Sequence, residues 1–422
     1  MSLFITKIGC GFLKSFHKVE LTMKRLISPR VTAILPGLIV STLMDVIKPM
    51  LVLDREKKVR FRTTLESFIP AHHLKGTDLA IFCRNTEPRY APIFQYLQEN
   101  SIPYIYDLDD NLFDIPLSNE LGGYHRSPHR LKMLETYLQQ AALVRVYSPV
   151  VYERVAALGA RVELVKAPLD WTLIQPRQPH QKIRIVYVTS RRQDTLADIF
   201  APALRQVLQR YPDRVEVTFC GTLPEGFAGQ ANVHHMPFEP NYDAFMRKFS
   251  ARSFDIGLAP LIDDDFHRSK TNNKFREYAA CGIAGIYSNV SVYREVVDGE
   301  LGLMVSNTPE QWANALVRLI EDCELRSRIV HRAQQYARQN YSLEEFCTTW
   351  EEQIARVLAT YSAQTPSLPV GQPSEVTIPV DPNQKTRWQK LSAMTLPEIT
   401  RKLWLIIHSF LWLLKINYLK KL

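Results

Sequence analysis

The chain has 422 residues, 46% apolar and 23% charged, which is enough for two globular domains with real cores and excludes a disordered or fibrous polymer. Its formal net charge of +9 sits at the ends: residues 1–30 carry +5 and 382–422 carry +7, leaving 31–381 at −3. A mildly acidic body between basic ends fits an anionic membrane surface and argues against nucleic acid as a partner.

Residues 1–30 read as a basic leader. Lys7, Lys14 and Lys18 interrupt its apolar stretches, leaving no core long enough for a secretory signal, and Met23 could serve as the start as well as Met1. Apolar runs at 31–38, 78–84, 103–110 and 143–148 then read as strands, with helical patterns at 91–100 and 129–141 between them. Alternation of this kind predicts a parallel sheet covered on both faces. Three prolines crowd the polar stretch 163–181, after which the pattern restarts with strands at 182–190, 215–221, 254–260 and 284–288 and a helix at 197–210. The expected fold is therefore α/β, with two Rossmann-like domains facing across a cleft, 31–175 and 176–340.

A capping box, Ser342 with Glu345, opens a long amphipathic helix over 341–361 that is expected to cross back to the first domain. Residues 362–395 form a linker, with five prolines between 362 and 382. In 396–422 the apolar runs 403–407 and 410–414 are broken by His408 and Ser409, so no stretch approaches the roughly 20 residues of a spanning helix. Its apolar face, its lysines and the anchors Trp404 and Trp412 predict a helix lying in the membrane interface; docking on the protein's own body or on a second subunit is the other reading. The six cysteines, Cys10, Cys83, Cys220, Cys281, Cys323 and Cys347, form no C-x-x-C and read as reduced thiols of a cytosolic protein.

Chemistry concentrates in KTNNKFREYAACG, residues 270–282, which follows a predicted strand and the loop 262–269. A helix starting near Lys270 would offer its N-terminal N–H groups to phosphate oxygens, with Lys270 and Lys274 adding charge and Glu277 available to a pair of vicinal hydroxyls such as those of a ribose. The same spacing also fits an exposed helix face that pairs with itself.

The stretch 255–305, with Glu277, Ala280, Cys281 and Gly282 in EYAACGIAG, resembles the donor-binding region of family-4-type (glycosyl transferases group 1) retaining glycosyltransferases of GT-B fold, and a weaker likeness runs from about 31 to 361. The resemblance implies that Glu277 is the second Glu of the family's Glu-x7-Glu pair and holds the ribose. The first, which contacts the donor sugar in the family, falls on Ser269. A subgroup with K-S/T-x-x-K before that Glu is closer, as Lys270, Thr271 and Lys274 show. Two further departures are Ala284 in place of the usual proline and VTSRRQD (188–194) in place of a glycine-rich turn, where Arg191 and Arg192 are available to the diphosphate.

These readings together predict a retaining hexosyltransferase-type enzyme that uses a nucleotide-diphosphate sugar and needs no metal or other cofactor. Lys270 and Glu277 are the expected catalytic residues, and Arg191, Arg192, Lys270, Lys274 and Glu277 the donor-binding ones. Asp109, Asp110 and His125 are expected on the acceptor side. Asp107-Leu108-Asp109 is a D-x-D of the kind that chelates a metal, but it falls in the first domain, away from the phosphate helix. The expected partners are a nucleotide sugar, a glycan or lipid-linked acceptor and an anionic membrane surface, not nucleic acid, which places the protein in the cytoplasm at the inner face of the cell membrane. A nucleotide-sugar-binding protein of the same fold without transferase activity is the alternative.

Overall fold

The computed structural model describes residues 28–69, 74–119, 121–189 and 196–364. Two six-stranded parallel sheets organise the chain. The first contains β1 (Arg30–Leu35), β2 (Arg60–Leu65), β3 (Leu79–Cys83), β4 (Tyr104–Leu108), β5 (Leu143–Val146) and β6 (Val162–Leu164), in the order β2-β1-β3-β4-β5-β6. The second contains β7 (Ile183–Thr189), β8 (Val215–Gly221), β9 (Val233–Met236), β10 (Ile256–Ala259), β11 (Ala284–Ser288) and β12 (Leu303–Val305), in the order β12-β11-β10-β7-β8-β9.

Helices α1 (Lys48–Arg55), α2 (Ala91–Glu99), α3 (Gly122–His125), α4 (Pro128–Gln140) and α5 (Pro149–Ala156) accompany the first sheet. With the second come α6 (Ala197–Arg210), α7 (Tyr242–Ala251), α8 (Asp265–Arg268), α9 (Asn273–Cys281), α10 (Pro309–Glu321) and α11 (Cys323–Asn340). Helix α12 (Leu343–Gln364) follows, and the Ser342 hydroxyl accepts the Glu345 N–H at its start, at 3.3 Å. The described residues divide into two compact units: 28–38 with Val46–Ile105 and 350–364, and Ile39–Asp45 with Tyr106–Thr349.

The second sheet shows why its strands are apolar nearly throughout. Alternate residues point to opposite faces. Ile185, Tyr187, Ile256, Leu258 and Ile286 enter one core with Phe200 of α6 and Trp312 and Leu316 of α10. Their neighbours Val186, Ala259 and Tyr287 enter the other, with Phe249 of α7 and Phe275 and Tyr278 of α9.

Helix α9 rests directly on β10. A Cβ at Gly257 would come within 2.5 Å of the Tyr278 ring, so only glycine permits this approach, and the Tyr278 hydroxyl donates to the Leu258 carbonyl at 2.8 Å. Gly282 ends the helix at φ +69°, a left-handed cap that glycine adopts without a Cβ penalty. Beyond that end the Arg177 guanidinium donates to the carbonyls of Phe254, at 2.5 Å, and Gly282, at 2.8 Å, and pairs with Asp255 at 2.9 Å.

Four calls of the sequence fall outside the described residues: the leader 1–27, Arg191 with Arg192, the linker beyond 364, and the interface helix 396–422. Among the described residues no helix is long and apolar enough to cross a membrane. Cys83, Cys220, Cys281, Cys323 and Cys347 are all free thiols.

Candidate active site

The segment before α9 departs from expectation. Asp264 caps a short turn of helix, α8, by accepting the His267 N–H at 2.7 Å, and the chain then makes a connection through Ser269, Lys270 and Thr271. Helix α9 begins only at Asn273. Lys270 is therefore not one helical turn below Lys274 on a shared face; it stands on the connection. Lys274 and Glu277 do share the helix face, and the Lys274 ammonium donates to Glu277 Oε2 at 2.9 Å.

That ion pair is not an exposed, self-paired surface. Glu277 is 7% exposed, and its Oε1 accepts from the Tyr242 hydroxyl of α7 at 3.3 Å. Beside it Arg276 is buried, its guanidinium donating to the Pro168 carbonyl at 2.8 Å and to Asn272 Oδ1 at 3.1 Å. Asn272 in turn donates to the Tyr341 hydroxyl at 2.7 Å and to Glu295 at 3.3 Å, and Glu295 also accepts from Tyr336 and Tyr341. This network fixes the connection and the first turn of α9 to the chain around residue 341.

Glu277, Arg276, Tyr242, Asp109, Tyr147 and Asp45 line one recess of about 570 Å³ including its open mouth. All belong to the second compact unit. Lys270 is not part of that wall. Its ammonium lies 2.8 Å from both carboxylate oxygens of Asp110 and 3.9 Å from the centre of the Phe266 ring. Ser269 is fully buried and its hydroxyl donates to the Phe266 carbonyl at 2.6 Å, closing it onto its own turn.

The acceptor-side candidates separate. Asp109 joins Glu277 around the recess and Asp110 meets Lys270, whereas His125, on the short helix α3, lies outside the recess and packs its ring against Tyr124. Asp107 is turned away. It is fully buried, accepting from Arg145 Nε at 3.0 Å and from the Tyr147 hydroxyl at 2.8 Å. Burial pushes its carboxyl up, to about 7, against the pull of Arg145 and Tyr147. The strand β4 ends at Leu108, so Asp107 stays in the core while Asp109, beyond the strand, reaches the recess. Asp263 and Asp265 pair with Arg268 on the exposed side of α8.

Reading the sequence missed Asp45, Tyr147, Tyr242 and Arg276. Only Arg276 lay inside the stretch singled out. The others come from segments far apart in sequence, and Asp45 sits in a wide helical turn, Thr42–Ile47, of the kind that recurs at functional sites.

A buried carboxylate paired with one ammonium group, on a helix packed against a parallel strand, can accept hydrogen bonds from ligand hydroxyls. Residues 182–322 match the family described as glycosyl transferases group 1. No curated protein matches the chain in sequence. Among solved structures, sucrose-phosphate synthase from Thermosynechococcus elongatus aligns with a TM-score of 0.59 at 14% identity, over 79% of this chain and 100% of its own. HepE from Anabaena, in complex with UDP and glucose, aligns at 0.54 and 16% identity, over 78% and 99%. A UDP-forming α,α-trehalose-phosphate synthase from Burkholderia xenovorans aligns at 0.54 and 12% identity, over 79% and 99%. At such identities the structures establish a common fold.

The chain has the GT-B fold that these structures share. Residues 182–322, a third of the chain, are thus similar to the glycosyl transferases group 1 family.

Proposed function

We propose that the enzyme transfers a sugar from a nucleoside-diphosphate sugar to a lipid-linked glycan or growing polysaccharide, at the inner face of the cell membrane. The observation that carries the donor half is Glu277: an almost fully buried carboxylate on the recess wall, already accepting from Lys274 and Tyr242. In this reading Glu277 takes the two ribose hydroxyls, while Lys270 and Lys274 take the diphosphate, joined by Arg191 and Arg192.

The bond between the anomeric carbon and the phosphate oxygen breaks with its electron pair going to the diphosphate. Negative charge grows there, and Lys270 stabilises it. The acceptor oxygen bonds to the same face of the sugar through an oxocarbenium-like state, and its proton passes to the departing phosphate. No protein nucleophile and no metal is needed for this sequence. Asp109 serves the acceptor from across the recess, and the basic segment 396–422 keeps the enzyme near lipid-borne acceptors.

Incubation with uridine- and guanosine-diphosphate sugars, followed by detection of released nucleoside diphosphate with and without membrane-extracted acceptors, tests this reading. Release that rises with a lipid-linked acceptor supports it. No binding and no turnover with any nucleoside-diphosphate sugar would defeat it.

A further inference from the structure

Asp110 and Lys270 are 160 residues apart in sequence, yet they meet within one compact unit through both carboxylate oxygens, at 2.8 Å each. Their side chains are 18% and 25% exposed, so the pair can be reached from solvent. Asp110 is itself positioned, since its Oδ1 accepts the Asn111 N–H at 3.0 Å, and the Phe266 ring underlies the ammonium. A carboxylate held this way offers an ammonium two oxygens and a negative charge, as one face of a phosphate does.

We propose that Asp110 is a placeholder for the donor's diphosphate, a positioning residue that holds the Lys270 ammonium in its working place until the phosphate takes over. The inference rests on the reading of Lys270 as a diphosphate ligand and adds a specific exchange: binding the donor breaks the Asp110–Lys270 pair. A partly exposed ion pair is a weak competitor. A diphosphate carries more charge and displaces it, and Asp110 is then released beside the reacting sugar. Lys274 differs, because its partner Glu277 lies on its own helix and stays beside it when the ribose binds.

The exchange makes a prediction opposite to that for an ordinary contact residue. Removing the charge of Asp110 should tighten nucleoside-diphosphate binding, by about fivefold, the factor that about 1 kcal/mol carries at 25 °C. Calorimetry with uridine, guanosine and adenosine diphosphates would be run on full-length wild type, Asp110→Asn, Lys270→Ala and the double variant. The expected pattern is weaker binding for Lys270→Ala, tighter binding for Asp110→Asn, and no tightening from Asp110→Asn once Lys270 is absent. Weaker binding for Lys270→Ala with unchanged or weaker binding for Asp110→Asn overturns the placeholder while leaving the lysine's role intact. Unchanged binding for Lys270→Ala overturns both, as does a wild type that binds none of the three.

Discussion

Replacing Glu277 by Gln keeps the size and shape of the side chain and removes its charge, which isolates the role proposed for it. In the unliganded protein the loss is small: Lys274, 27% exposed at its side chain, recovers water, and the long contact from Tyr242 at 3.3 Å is retained by an amide oxygen. A change in unfolding free energy of about 1 kcal/mol or less is expected. The bound state loses more, because a carboxylate can accept from both ribose hydroxyls whereas the amide offers a single neutral acceptor. One charge-assisted hydrogen bond is worth about 1.5–3 kcal/mol, or roughly 10- to 150-fold in affinity. Titration calorimetry with the ribo- and 2′-deoxy forms of the diphosphate that binds best measures this directly. The wild type should discriminate against the deoxy form and Glu277→Gln should not. Equal affinities of wild type and variant, or the same deoxy penalty in both, would refute the assignment.

Three other outcomes follow from the same geometry. Lys270→Ala should lower turnover by about two to three orders of magnitude, the usual cost of losing one donor to a developing anion, as read from steady-state rates; a decrease under about threefold would move that role to another group. Asp107→Ala removes the acceptor of both Arg145 Nε and the Tyr147 hydroxyl inside the core, so urea denaturation should show a loss of about 3–5 kcal/mol, and a wild-type midpoint would mean that these buried bonds do not hold the core. Truncation after residue 381 should abolish sedimentation with anionic liposomes at low salt while preserving nucleoside-diphosphate binding; retained sedimentation would exclude the segment 396–422 as the anchor.

What the sequence disclosed and what it hid divide along physical lines. Central strands such as β3 and β10 are buried on both faces and read as unbroken apolar runs. The strands that escaped notice, β2, β6, β9 and β12, are the four sheet edges. Their solvent side admits Arg60 and Arg62 in β2 and the two histidines of β9, and β6 and β12 have only three residues each, so no apolar run marks them.

At the site, Glu277 was legible because it lies in a motif with a helix and a glycine cap behind it. Lys270 was legible as a residue but misplaced by structure, since Asp264 caps a separate turn that uses up the preceding loop. Asp45, Tyr147 and Tyr242 could not be found by spacing at all, because only the folded chain brings them to Glu277.

The contact between Gly257 and Tyr278 has a consequence for how this enzyme can change. The helix bearing Glu277 is seated on β10 without room for a methyl group, so the position of Glu277 is set by core packing. Substitutions that fill space beneath α9 would be felt as weaker donor binding as well as strain. Lys270 stands on a connection outside that helix, where residues can be exchanged without rebuilding the core. On the proposed roles, the ribose and the diphosphate of the donor would be held by parts of unequal mutability.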